Sequence, residues 1–291
     1  DAHVALVHRC PIGGPASAPG PVVTRITADC WYEAGTRRDR GWRPGRVALI
    51  AQWSRGTVVS RSVDELTRQL ASVGFDVLVI SACEAPGPLQ WPLGLPDRTT
   101  VLRRRNVGHD FGSWASALAT FPQLLRARRV VLANDSMIGP FRSLRRELQL
   151  MERHPVDVWG LTAGTQVLPH LQTFFLCFRD GILADRPLRD YWASIVPHAS
   201  KWETVEANEL GLARLLKAER YTWQSVYPAP PPGEPNRTIG GWEALLAAGF
   251  PFVKRMLVAH DTFEHERFRV TRTDIADAVR QRYPVDLEEW I

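Results

Sequence analysis

Residues 46–81 read RVALIAQWSRGTVVSRSVDELTRQLASVGFDVLVIS. RVALIAQW and FDVLVIS are continuous apolar runs of strand length, and between them Leu66, Leu70 and Val73 recur on one helical face. The spacing predicts a helix over 62–73, with Ser62 and Glu65 as a capping box and Gly74 as its stop. Strands that are apolar throughout, joined by a helix, form the βαβ unit of a parallel sheet covered on both faces. The fold class expected is therefore α/β, a mostly parallel central sheet with helices on both faces.

Upstream, residues 1–45 are rich in Pro, Gly and Arg. They read as an irregular extension, with short apolar runs at HVALV and near Val22 to Ile26. Downstream, TTVLRR, RVVLAN, VDVWGLT and TFFLCF read as strands. SWASALATF, SLRRELQLMERH, LRDYWASIV, the stretch from Thr204 to Lys217 and TIGGWEALLAAG read as helices. Thr273 is expected to cap a last helix, DIADAVRQR, within 271–291.

The chain has 291 residues, 45% of them apolar and 23% charged, which excludes a disordered or fibrous protein. No stretch approaches the 18 apolar residues of a membrane span, and the first residues lack the pattern of a secretion signal. Four cysteines without a C-x-x-C pair fit a cytoplasmic chain with reduced thiols better than a disulfide or zinc scaffold. Because the chain starts at Asp1, a missing upstream segment stays open. Formal net charge is +5, and only three of 36 basic residues are lysines. Arginine suits phosphate, although a GC-rich coding sequence produces the same bias.

Nucleotide and hydrolase fingerprints are missing. The sequence has no G-x-G-x-x-G after the first strand, no G-x-x-x-x-G-K-[ST], no G-x-S-x-G and no H-E-x-x-H. Two polar segments stand out instead. RRRNVGHDFGSW (103–114) lies between a strand and a helix start, where free N–H groups suit an anion; Arg105, Asn106, Gly108 and Asp110 would share one loop surface. VVLANDSMIGP (130–140) ends a strand in Asn134, Asp135 and Ser136, at the carboxyl edge where open α/β sheets bind ligands. An acid there can hold a divalent cation on a diphosphate. Both segments also suit ordinary turns.

In order, the chain carries R-x-N-x-G-x-D-F-x-S-W, N-D-S-x-x-G-P, W-G-L-T, H-L-Q-T-F-F and P-F-x-K-R. This series resembles the rhamnan-synthesis protein F family over about Val47 to Val258. The resemblance implies a GT-A-like glycosyltransferase of polysaccharide synthesis, with a domain at 46–270. Residues 46–140 would hold the nucleotide sugar and 141–270 the acceptor. Asn106, Gly108 and Asp110 match the family's loop, and Asn134, Asp135 and Ser136 stand where a D-x-D is usual. One carboxylate in that triplet leaves a divalent cofactor, Mn or Mg, open. Arg105, Lys254 and Arg255 are the alternative partners of the diphosphate.

The resemblance also makes Glu209 the candidate base, with Glu206 second; three apart, they are expected to share a helix face. His170 and Gln172 match an H-x-Q element and become candidates for sugar or acceptor hydroxyls. Trp159 is expected to line the same cleft and Trp53 to flank the base. His260 is a minor candidate metal ligand, although His260, Asp261, Glu264 and His265 read better as a solvated turn. Expected donors are dTDP-L-rhamnose or UDP-galactofuranose, and the expected acceptor is a glycan hydroxyl. A lipid-linked acceptor would bring peripheral contact with the inner membrane face. A non-catalytic polysaccharide or nucleic-acid binder, or an inactive homologue, are the rivals; the arginines are spread out and no nucleic-acid motif occurs. The whole reading requires the loops of Asp110 and Asp135 to share one crevice.

Overall fold

The computed structural model describes residues 30–39, 41–227, 229, 236–265 and 268–291. Val22 to Ile26 and the HVALV run lie outside them. An eight-stranded sheet runs in the order β1 (Trp31–Gly35), β4 (Thr99–Arg103), β3 (Asp76–Ser81), β2 (Arg46–Gln52), β5 (Arg129–Asn134), β10 (Phe175–Arg179), β7 (Val158–Gly160) and β11 (Trp223–Ser225). The four strands β4, β3, β2 and β5 are mutually parallel, while β1 and β10 pair antiparallel with their neighbours. The sheet is thus α/β and Rossmann-like at its centre and mixed at its margins. Strand β1 lies within the stretch expected to be irregular; paired with β4, it extends the sheet there.

Because side chains alternate along a strand, the apolar runs feed two cores. Val47, Leu49, Ala51, Leu78 and Ile80 face α2 (His109–Thr120) and α4 (Arg186–Ala193), with Trp114 and Trp192 between. Ala48, Ile50, Val77 and Val79 face α1 (Arg61–Ser72) and α3 (Arg145–Arg153). A third core joins Ile138 of β6 (Met137–Ile138), Val253 of β12 (Val253–Lys254), α7 (Trp242–Ala247), α8 (Arg272–Arg282) and Trp290.

Two caps differ from expectation. Ser60, not Ser62, accepts from the Val63 amide and starts α1, while Ser62 Oγ accepts from the Gly139 amide at 3.2 Å. Thr271, not Thr273, caps α8 through a capping box with Asp274. The Ser62 side chain is taken by a distant partner, which a local pattern does not report.

Since β2, β3, β4 and β5 run parallel, their carboxyl ends lie along one edge. Trp53, Glu84, the loop from Arg104 to Gly108 and the Asn134–Ser136 segment all emerge there.

Candidate functional site

The loop before α2 is shaped from below by Arg104. Its buried guanidinium donates to Ser113 Oγ at 2.6 Å and to the carbonyls of His109 and Val107. Gly108 precedes the helix at φ 77°, and a Cβ on Gly112 would lie 2.2 Å from the Val107 carbonyl oxygen. Only a residue without a side chain permits that approach. The result sets Asp110 in the first turn of α2, where the helix dipole favours a carboxylate.

Asn134 ties this turn to the end of β5. Its Nδ2 donates to Asp110 Oδ2 at 2.7 Å, and its Oδ1 accepts from the Ser136 amide at 3.1 Å. Asp135 Oδ2 accepts from the Trp53 amide at 2.8 Å, and the Asp135 carbonyl accepts from Arg255 Nε at 2.9 Å. The Arg255 amide donates to the Ser136 carbonyl at 3.0 Å. Asp110 and Asp135 therefore belong to one crevice, with Trp53 on its rim and the β12 segment along its side.

Charge in that crevice is crowded. Burial raises Asp110 to about 6, against the pull of Lys201, Asn134, Lys254 and Arg104. Burial, and then the negative charge of Asp110, raises Asp135 to about 7. Burial and Lys201 lower Lys254 to about 8, although Glu209 and Asp110 oppose this. Two carboxylates at close quarters share this space with Lys254, and the charge of Lys201 reaches both Asp110 and Lys254. Among the described residues no three His, Cys, Asp or Glu side chains gather to hold a metal. Asp135 and Asp110 fit a divalent cation only if it takes its remaining ligands from a diphosphate, which is how Mg commonly binds.

Glu209 approaches from the other half. It ends a π-helical segment, Val205–Glu209, set between α5 (Lys201–Thr204) and α6 (Leu210–Ala218). Such wide turns are frequent at functional sites. Glu209 Oε2 accepts from the Thr173 amide at 3.2 Å and from Thr173 Oγ, and His170 Nε2 lies 3.3 Å from Oε1. Burial opposes ionisation of Glu209, but these hydrogen bonds outweigh it and hold the carboxyl below its usual range. The acid is thus held charged and oriented.

A model of the rhamnan synthesis protein F family matches residues 96–288, most of the chain and all of the crevice except Trp53. The chain belongs to that family. The uncharacterized protein y4gN of Sinorhizobium fredii (strain NBRC 101917 / NGR234) is 24% identical over 135 residues, 44% of this chain and 34% of that protein. The chain thus spans about a third of the length of that relative. The family is named for rhamnan synthesis.

Within this family member, Trp53, Asp110, Asn134, Asp135, Ser136, Lys254, Arg255 and Glu209 lie around this region. Gly108 serves the backbone turn, and Arg105 and Asn106 lie exposed on the adjoining loop. Four expectations need correction. Glu206 does not share the face of Glu209: the π turn rotates it outward and it is exposed. Trp159 is 2% exposed and belongs to the core over α1 and α3, so it lines no cleft. Gln172 is buried and its amide is spent on Thr162, Asn236 and Thr238, which leaves it no group for a sugar. His170 is 3% exposed; it contacts Glu209 instead of a ligand.

His260 is exposed on a turn, with Asp261 and Glu264 paired to Arg272 and Arg269 and His265 against Phe268. Sequence reasoning missed Lys201, Thr173, Arg104 and Gly112. Thr173 lay inside the quoted H-L-Q-T-F-F motif, and Arg104 opens R-x-N-x-G-x-D-F-x-S-W with Gly112 inside it, so all three were within reach. Lys201 has no local signal.

Proposed function

We propose that this chain is an inverting, GT-A-like glycosyltransferase that moves a sugar from a nucleoside diphosphate to a hydroxyl of a growing cell-surface polysaccharide. The observation that carries the reading is the meeting of Asp110, Asp135, Lys254 and Glu209 at the carboxyl edge of the parallel strands: Asn134 bonds Asp110 and its backbone amide donates to the Phe174 carbonyl, Lys254 Nζ lies 5.9 Å from the centre of the Phe174 ring, and the neighbouring Thr173 holds Glu209. Family membership supports it. L-Rhamnose from dTDP and galactofuranose from UDP are the donors in view. Residues 46–140 hold the nucleotide sugar, joined by Lys201 and Lys254 from the acceptor half 141–270, and a lipid-linked acceptor would hold the protein at the inner membrane face.

In this reading Trp53 flanks the nucleotide at the rim, and Lys254 with Lys201 offsets the charge that develops on the leaving diphosphate. Asp135 and Asp110 would hold a divalent cation, which when bound supplies further positive charge there. The acceptor hydroxyl attacks the anomeric carbon opposite the diphosphate, and Glu209 takes its proton. A charged, oriented carboxylate suits that task despite its lowered affinity for protons, because the acceptor oxygen becomes acidic only as its bond to carbon forms.

The test is release of nucleoside diphosphate from a panel of donors in the presence of glycan acceptors, with wild type and Glu209→Gln. Acceptor-dependent release by the wild type, lost in the variant, is the expected result. Equal release by both would remove Glu209 from the mechanism, and release by neither would leave a non-catalytic homologue.

A further inference from the structure

His170 stands directly behind the carboxylate assigned to the transfer. Its Nδ1 lies 2.8 Å from the Leu168 carbonyl oxygen and its Nε2 lies 3.3 Å from Glu209 Oε1. A carbonyl only accepts, so Nδ1 carries a proton in either form of the ring. Nε2 is then the nitrogen that gains or loses one, and it faces the carboxylate. Thr173 fixes the other oxygen through its amide and hydroxyl. With a side chain 2% exposed, His170 can meet neither donor nor acceptor. We infer that His170 acts through Glu209, as the store for the proton that Glu209 takes from the acceptor, an inference resting on the transferase reading above.

The balance is simple. The acceptor O–H bond breaks, its proton passes to Glu209, and its oxygen forms the bond to the anomeric carbon. The anomeric carbon–oxygen bond to the diphosphate breaks, and that electron pair leaves with the diphosphate. The proton then moves from Glu209 to His170 Nε2, leaving an imidazolium against a carboxylate until solvent removes it. A dyad that already holds this proton is a poorer base, so the active form has His170 neutral and Glu209 charged.

Among the described residues, the titratable groups whose charge is coupled to that of Glu209 are His170, Lys254 on β12 and Tyr191 on α4. Burial opposes charge on His170, but the bonds to Glu209 and the Leu168 carbonyl outweigh it, so the ring holds its proton above the ordinary histidine value of 6.5. The two groups titrate as a unit. Transfer should therefore increase with pH through a value above 6.5.

Two measurements on the full chain decide the matter. In nitrogen-15 NMR of the ligand-free protein, the neutral His170 ring should carry its proton on Nδ1, and Glu209→Gln should lower its titration point. A neutral ring protonated on Nε2, or a titration point that Glu209→Gln leaves unmoved, overturns the inference without any assay of activity or any His170 variant. In the profile of kcat/KM against pH, His170→Gln keeps a donor for Glu209. It should shift the acidic limb down by about a unit or more and slow turnover roughly tenfold with little change in donor KM. An acidic limb that stays in place in an active His170→Gln overturns this inference alone. A wild type that transfers from no nucleoside diphosphate sugar overturns the transferase reading and this inference with it.

Discussion

Replacing Asp135 by Asn should stabilise the ligand-free protein while removing its cation-mediated grip on a diphosphate donor. The substituted amide oxygen can still accept from the Trp53 amide, so the contact at 2.8 Å survives while the charge is lost. Burial and Asp110 raise the folded value of Asp135 from 3.8 to about 7. The folded state therefore binds more protons than the unfolded one between those values, and stability falls as pH rises through that window. The gap corresponds to about 4 kcal/mol as an upper bound. Water and ions entering the crevice reduce this to roughly 1–3 kcal/mol. Denaturant unfolding of both proteins at about pH 5 and about pH 8 tests it: Asp135→Asn should gain roughly 1–3 kcal/mol at the higher pH and distinctly less at the lower. A variant no more stable than the wild type at about pH 8 would refute the claim that this crevice stores uncompensated negative charge.

Other consequences are independent of that one. Glu209→Gln should lower turnover by about 10²–10⁴-fold with donor affinity kept, whereas Glu206→Gln, at an exposed position, should change neither; steady-state kinetics with a responsive donor checks both. Lys254→Met should weaken binding of a nucleoside diphosphate by about tenfold or more, read by calorimetry. Because Lys254 is charged only below about 8, wild-type affinity should fall as pH rises through that value, and the variant should lose this dependence. Gly112→Ala places a Cβ against the Val107 carbonyl and should cost about 1–3 kcal/mol of stability, seen as a lower melting temperature.

The parallel centre of the fold was legible because β2, β3 and β5 are buried on both faces, and burial on both faces writes itself as an unbroken apolar run. Strands β7 and β11, three residues each, carry too little pattern to be bounded, and the antiparallel insertion of β10 is a matter of long-range pairing. The loops of Asp110 and Asp135 were legible as strand-end motifs. What a side chain does once its neighbours arrive was not. Trp159 and Gln172 sit on strand or near-strand backbone, where one step of register decides between core and cleft. Glu206 and Glu209 are three apart, and a regular helix would have placed them together; the π turn that parts them has no simple sequence signature. Lys201 lies some ninety residues from the aspartate its charge reaches, and no local pattern links the two.

The central claim is that this one crevice grips a nucleoside diphosphate. Thermal unfolding with UDP, dTDP and their sugars, with and without manganese, tests it most directly. At a ligand concentration 100 times its dissociation constant, the stabilisation expected is about 2.7 kcal/mol. The account predicts that shift for at least one nucleotide in the wild type and its loss in Asp135→Asn and Lys254→Met. Unchanged melting with every nucleotide, or an equal shift in all three proteins, would contradict it.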